Sequence, residues 1–315
     1  MEFRTQIPIL KSHHPIDYNS KVVSLGSCFA VNMAEKLDYF QFQNTVNPFG
    51  ILFHPLALDK FIDFALNQNN FTEKDIFFHN ERWHSFDAHS DLSHSDIDTI
   101  LKNLNEISQK AKQQIEDATH LIITLGTAWV YRNNASNSIV ANCHKVPQKE
   151  FSKELLSVAE IEDSLQNILS LVETANPNVQ IIFTISPVRH IKDGFVENQW
   201  SKSNLIAALQ QTLITKINAG YFPSYEIMMD ELRDYRFYDR DMIHPNQVAI
   251  DYIWQRFSST YISAAAYLVM DEVQSIRKAL SHKPFNSNSE KHTDFLNTIS
   301  HRISLLQRNH SHITF

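Results

Sequence analysis

The sequence predicts an α/β fold: three layers, with a doubly wound parallel sheet in the middle and a helical extension at the C-terminus. Three observations lead there. Short runs that are apolar almost throughout alternate with longer stretches of helical period, the runs end abruptly at Gly, Ser-Pro or Asp, and two more helical patterns follow at the end of the chain. A strand covered on both faces reads as a continuous apolar run, and parallel strands need a long crossover, which a helix supplies.

The first run, residues 21–25 (KVVSL), stops at Gly26 and passes into a helical pattern over 29–40. This is a strand, a tight turn and a helix. Runs at 120–125 (HLIITL, then Gly126), 179–185 (VQIIFTI, then Ser186-Pro187) and 225–229 (YEIMM, then Asp230) supply further strands. Helical periods at 55–66, 95–117, 158–174 and 203–219 are the crossovers, and another helix starts near Asn246. Residues 76–94 are rich in His, Asp, Ser and aromatics, and residues 129–143 predict a β-hairpin turning at Asn133-Asn134 or Ser136-Asn137. Both can wall a pocket. Helical patterns at 264–281 and 289–307 form the extension, and 282–290 reads as a linker. The chain of 315 residues divides into a domain at 1–262 and a helical extension at 263–315 packed on or beside it, a length that suits one large domain with an addition.

Composition narrows the classes of function. Hydrophobic residues are 43%, charged residues 20%, and there are 5 Gly and 10 Pro, so the chain has material for a core and little for a disordered linker. The net charge of −7 with no basic segment argues against a nucleic-acid binder. Glu2 and Arg4 near the start, without an apolar run for a signal-peptide core or a membrane span, predict a cytoplasmic protein. Cys28 and Cys143 are then expected to be reduced.

In a doubly wound sheet the site lies beyond the carboxyl ends of the strands. After the first strand stands Gly26-Ser27-Cys28, a strand-to-helix turn where a nucleophile is exposed and helix amides stabilise an anion. Either Ser27 or Cys28 fits: a thiol there is favoured toward thiolate, whereas Ser27 needs a base, and a plain helix cap is the structural alternative. Far downstream, Asp241 precedes His244 by three residues on a loop ahead of a helix, the spacing of an imidazole and the carboxylate that orients it. A nucleophile after the first strand and a base after the last converge at one end of the sheet.

These residues carry a resemblance. Gly26-Ser27-Cys28-Phe29-Ala30 with Asp241-Met242-Ile243-His244-Pro245 resembles the SGNH/GDSL hydrolase superfamily, and the first motif looks like the signature of its GSCFA-domain branch, over residues 20–262. The resemblance implies a flavodoxin-like strand order, Asp241 and His244 as orienter and base, and a nucleophile that falls on Cys28 by spacing, with Ser27 one residue away. It also implies an oxyanion hole, for which Gly50 in Asn47-Pro48-Phe49-Gly50 matches the expected Gly. The usual Asn after the third strand is absent from Gly126-Thr127-Ala128-Trp129, which leaves Thr127, Asn47 or a backbone amide as substitutes. Arg189, after the fourth strand, is a candidate ligand for a substrate carboxylate or phosphate, and Trp83, His84, Phe86 and Trp129 are candidates for an acyl- or sugar-binding wall.

The function expected is therefore acyl transfer on an ester, of the carbohydrate or lipid kind that the resemblance implies, by an esterase or acyltransferase that needs no cofactor. Its partner is a small-molecule or glycan ester; neither nucleic acid nor a membrane span is expected, and the oligomeric state stays open. Two alternatives compete: a binding module that keeps the fold without catalysis, and a metal-dependent hydrolase using the His-rich segment. Cys28, Cys143, His144, His54, His84 and His89 make a conceivable zinc set, but no C-x-x-C or H-E-x-x-H spacing supports it. Five glycines furnish no dinucleotide or phosphate loop.

Overall fold

The computed structural model describes residues 4–283, 285 and 289–315. In chain order the elements are β1 (Lys21–Gly26), α1 (Cys28–Tyr39), β2 (Gln43–Val46), α2 (Pro55–Leu66), β3 (Phe77–His79), β4 (Arg82–His84), α3 (Ile97–Asp117), β5 (His120–Leu125), β6 (Trp129–Asn133), β7 (Ile139–Val140) and β8 (Phe151–Leu155). Then come α4 (Val158–Ala175), β9 (Gln180–Ile185), α5 (Phe195–Leu213), β10 (Ala219–Phe222), the single turn α6 (Ser224–Glu226), α7 (Gln247–Tyr261), α8 (Ala266–Leu280) and α9 (Glu290–Asn309).

The central sheet runs β10-β9-β5-β1-β2 with every neighbouring pair parallel, the doubly wound, flavodoxin-like order. Side chains alternate along each strand, so neighbours in sequence enter different cores. Val23, Leu121, Ile123, Ile181 and Phe183 pack in one core with α2, α3, α4 and α5. Val22, Ile122 and Ile182 pack in the other with α1 and α7. That alternation makes three layers out of runs that look uniformly apolar. The C-terminal helices join the second core: Val273 and Ile276 of α8, Ile299 and Leu306 of α9, and Ile313 are buried in it. No helix among the described residues is long and apolar enough to cross a membrane.

Helix starts follow from local chemistry. Asp96 accepts the Thr99 amide at the start of α3, and Ser157 with Glu160 forms a capping box on α4. Asn246 accepts the Ala249 amide to begin α7. The hairpin forms with its turn between Asn133 and Ile139, enclosing Ser136-Asn137, and β8 adds a third antiparallel strand beside β6. Residues 76–94 hold the β3–β4 hairpin, turned by Asn80 and Glu81 at positive φ.

Three expectations need correction. The run 225–229 is not a strand: it forms α6 and a π-helical turn, Ile227–Glu231, with Ile227 and Met228 in the core. A short apolar run reads alike in a buried strand and a buried helical turn, and the last strand is instead β10, whose AGYF carries little β signal. The fourth crossover helix is 195–213 and not 203–219, because Ala219 and Gly220 belong to β10 and the apolar residues Ile214 and Ile217 face solvent. Edge strand β2 was not anticipated, since QNTV is polar and only half-buried. Of the linker at 282–290, residues 284 and 286–288 lie outside the described residues.

One backbone approach constrains the first strand-to-helix turn. Gly26 has φ +129°, and a Cβ there would stand 2.1 Å from the Thr124 carbonyl oxygen of the neighbouring strand. Gly26→Ala is expected to cost about 2 kcal/mol or more, the scale of strain at a special φ joined to a backbone clash. Urea unfolding against wild type measures it, and a loss within error would show that the turn relaxes freely.

Candidate functional site

The turn after β1 separates the two candidate nucleophiles by geometry. The Gly26 amide donates to Asn47 Oδ1 (2.8 Å) and the Ser27 amide to the Thr124 carbonyl (3.1 Å), which pins the backbone between β2 and β5. Ser27 is the N-cap of α1: its Oγ accepts the Phe29 amide at 3.3 Å, and the residue is 3% exposed. Cys28 is the first residue of α1, a free and partly exposed thiol. Its pKa is raised: burial pushes it up and outweighs the Lys202 ammonium and the amides of Phe29 and Cys28, which push it down. The same turn thus assigns Ser27 to the helix start and leaves the Cys28 thiol free and partly exposed.

Asp241 and His244 meet as their spacing implies. Asp241 Oδ2 and His244 Nδ1 are 2.6 Å apart, and Asp241 Oδ1 accepts the amides of Ile243 (2.8 Å) and His244 (3.0 Å). Those hydrogen bonds hold the Asp241 pKa down, at about 2, so it is a carboxylate at any working pH. The imidazole is oriented through Nδ1 and keeps Nε2 for another partner; its side chain is 45% exposed. Arg189 braces this loop. Its Nη1 donates to the Met242 carbonyl (3.1 Å) and its amide to the Ile243 carbonyl (3.2 Å), and the rings of Phe195, Tyr235 and Tyr238 surround the guanidinium at 5.3–5.6 Å. Arg189 therefore lies at the rim beside the histidine loop.

Among the described residues no hydrogen bond joins Ser27 or Cys28 to His244. His190 and Lys202, which the sequence reading did not single out, are linked to them electrostatically, Lys202 to Cys28 and His190 to His244. The charges of Lys202 and His244 both bear on His190, and burial together with Lys202 lowers its pKa to about 4. Lys202 is wholly buried, and its Nζ donates to the carbonyls of Gly126 (2.6 Å) and Ser186 (2.7 Å), just beyond β5 and β9. Burial brings its pKa down to about 7. A signal for Lys202 exists: it shares one face of α5 with Asn198, Ser201, Leu205, Ala208 and Leu209, all buried. Starting that helix at 203 hid it.

The residues expected to receive an oxyanion differ in what they have free. The Gly50 amide is bound to the Asn47 carbonyl (2.8 Å), and Gly50, at φ +75°, sits where a Cβ would strike His89. Thr127 Oγ1 is engaged with Ser201 Oγ (2.9 Å) and accepts the Trp129 amide (3.1 Å). Asn47, at positive φ, uses Oδ1 on Gly26, while its buried Nδ2 has no partner. Of the three, Asn47 alone holds an unpaired side-chain donor beside the turn.

The histidine-rich segment is a packed cluster. His84 and His144 lie with ring centroids 4.7 Å apart, but His84 bonds Ser93 Oγ and the His79 carbonyl, and His144 Nε2 bonds the Ser85 carbonyl. His54 caps α2 through Nδ1 and reaches the Val140 carbonyl through Nε2. Among the described residues no three His, Cys, Asp or Glu side chains are grouped to hold a metal ion. Cys143 is a free thiol pushed up to about 11 by burial. Of the proposed wall, Trp129 is tied to the Glu197 carbonyl and lies under Lys153, while Phe86 stacks on Phe77.

A family model described as GSCFA family matches residues 21–257, and a second, described as GSCFA domain protein, C-terminal domain, matches residues 273–315. The chain belongs to the GSCFA family. No curated protein matches it.

Burial holds His54, His144 and His190 with pKa values at about 4, so they stay neutral in the fold while the unfolded chain takes up protons below its ordinary histidine value. Their contribution is complete above about pH 6.5 and is lost as pH falls toward 4. Urea midpoints across that window should fall steadily. His144→Asn, which tolerates the positive φ at this position, should flatten the slope by up to about one proton; an unchanged slope would show that His144 titrates normally.

Proposed function

We propose that this GSCFA protein is an acyl-transfer enzyme of the SGNH/GDSL kind, with Cys28 as nucleophile, His244 as base and Asp241 as the group that holds His244 in its tautomer. The observation that carries the reading is the Asp241–His244 pair, locked by three hydrogen bonds on a loop bound to the segment after β9, with α1 opening at Cys28 after β1 of the same parallel sheet. In such sheets, groups at these ends face one crevice.

The chemistry runs in two halves. Cys28 gives its proton to His244 Nε2 as sulfur bonds to the carbonyl carbon of an ester; the C–O bond then breaks, and the alcohol leaves with that proton. Water, or the hydroxyl of a second substrate, next attacks the thioester with His244 again as base, and the thiolate departs. Water makes the enzyme an esterase, and a sugar hydroxyl makes it an acyltransferase. The oxyanion would be received by the Cys28 amide and the free Asn47 Nδ2, beside the Gly50 turn, rather than by Thr127. Contacts between nucleophile and base are often long without substrate and tighten in the complex. A small-molecule or glycan ester suits the net negative chain, and a thiol nucleophile suits a reducing compartment, so the reading has the protein working in the cytoplasm.

One observation favours a second reading, a binding module: Cys28 and His244 share no hydrogen bond, and the threonine after β5 is already engaged. Labelling separates the two. Iodoacetamide and a fluorophosphonate, read by peptide mass, should modify Cys28 with the first and leave Ser27 untouched by the second, and an activated ester should acylate Cys28 in a step that His244→Ala slows by about a hundredfold or more, the scale of a lost general base. Folded protein that acylates at the same rate with and without His244 would favour the module.

A further inference from the structure

Among the described residues Lys202 and Glu231 both have wholly buried ionisable side chains, but Glu231 is paired with Arg256, whereas Lys202 has only backbone carbonyls. Lysine is almost never fully buried unless its charge is paired. Its two hydrogen-bond partners, the carbonyls of Gly126 and Ser186, are neutral; they satisfy N–H groups without cancelling the charge. Gly126 in turn packs on the nucleophile turn, since a Cβ on it would lie 3.3 Å from Ser27 Cβ. The ammonium is therefore anchored directly beneath the Gly26-Ser27-Cys28 turn, by the ends of two sheet strands.

The titratable groups facing it are Cys28 from α1, His190 from the segment after β9, and Tyr225 from α6, whose ring centroid is 5.5 Å from Nζ. His190 stays neutral and Tyr225 is a phenol whose pKa burial raises, so neither supplies a negative charge near neutral pH. Cys28 is the acidic group whose ionised form favours the ammonium, and the effect is mutual.

We infer that Lys202 is a positioning residue for the thiol: a buried ammonium that pairs through space with the Cys28 thiolate and stabilises it both as nucleophile and as leaving group. The inference rests on the reading of Cys28 as the nucleophile. Burial works against the ammonium and the Cys28 thiolate works for it, so the charge is held while the thiolate stands as its partner; the thiol proton goes to His244 in the first half of the reaction, the sulfur is uncharged in the thioester, and the pair re-forms when the thiolate departs.

The test is the pH profile of Cys28 alkylation by iodoacetamide, from roughly pH 6 up to about pH 11 where the thiolate plateau is reached, in wild type, Lys202→Met and Lys202→Gln. Loss of the ammonium should move the midpoint up by about one unit and slow alkylation about tenfold near neutrality. The rate at high pH, where the thiolate is fully formed, should stay unchanged, whereas a merely structural role would alter that plateau and leave the midpoint alone. A folded variant whose profile superimposes on wild type overturns the inference. Should both variants fail to fold, lysine ε-carbon NMR titration of wild type and Cys28→Ala decides: one lysine should titrate lower once the thiol is gone, and no movement overturns the pairing. Acylation that depends on His244 is read separately, so a failed acyl-transfer reading leaves the profile shift standing, and a failed profile shift leaves acylation standing.

Discussion

The close passage of Gly26 against Thr124 is the constraint on which the site depends. With a Cβ excluded, β1 can turn within hydrogen-bonding distance of the backbone of β5, so that the Ser27 amide finds the Thr124 carbonyl and α1 starts at Cys28. A side chain at that position would push the turn away from β5. The helix N-terminus, with the positive end of its dipole, would then no longer stand over the ends of the neighbouring strands.

From that turn the site is assembled by backbone carbonyls more than by side-chain ion pairs. Asn47, Gly126 and Ser186 each follow a different strand of one parallel sheet, and the first two are bound to or packed on the turn. Lys202 joins Gly126 and Ser186 from α5, so the helix on one face is tied to the strand ends beside the Cys28 turn. Arg189 makes the equivalent brace on the other side, coupling the segment after β9 to the loop of Asp241 and His244. Two basic residues thus have different parts. One is buried without a carboxylate and bonded to two carbonyls, and the other is ringed by aromatics and clamps a loop.

The histidines divide in a similar way. His54 spends both ring nitrogens on backbone and His144 gives Nε2 to the Ser85 carbonyl, and burial keeps both rings neutral. His244 is held by one carboxylate and keeps a nitrogen free at the rim. Sixteen histidines in the chain therefore do not make a metal protein by number alone; what matters is which ring nitrogens the fold leaves unspent.

What the sequence by itself determined is the part written in local chemistry. The apolar runs at 120–125 and 179–185 and the caps at Asp96, Ser157 and Asn246 each depend on neighbours within a few residues, and the Asp241–His244 pair depends on a three-residue spacing. Strand β10 and the run 225–229 were beyond that reach, because burial of a short apolar segment is decided by what packs on it and not by its own period. The tertiary structure alone decided the rest. That Asn47 keeps a free donor while Thr127 is engaged, and that Lys202 is buried against the Gly126 carbonyl, depend on partners 21, 74 and 76 residues away, and hydrogen-bond occupancy and desolvation exist only once those partners meet.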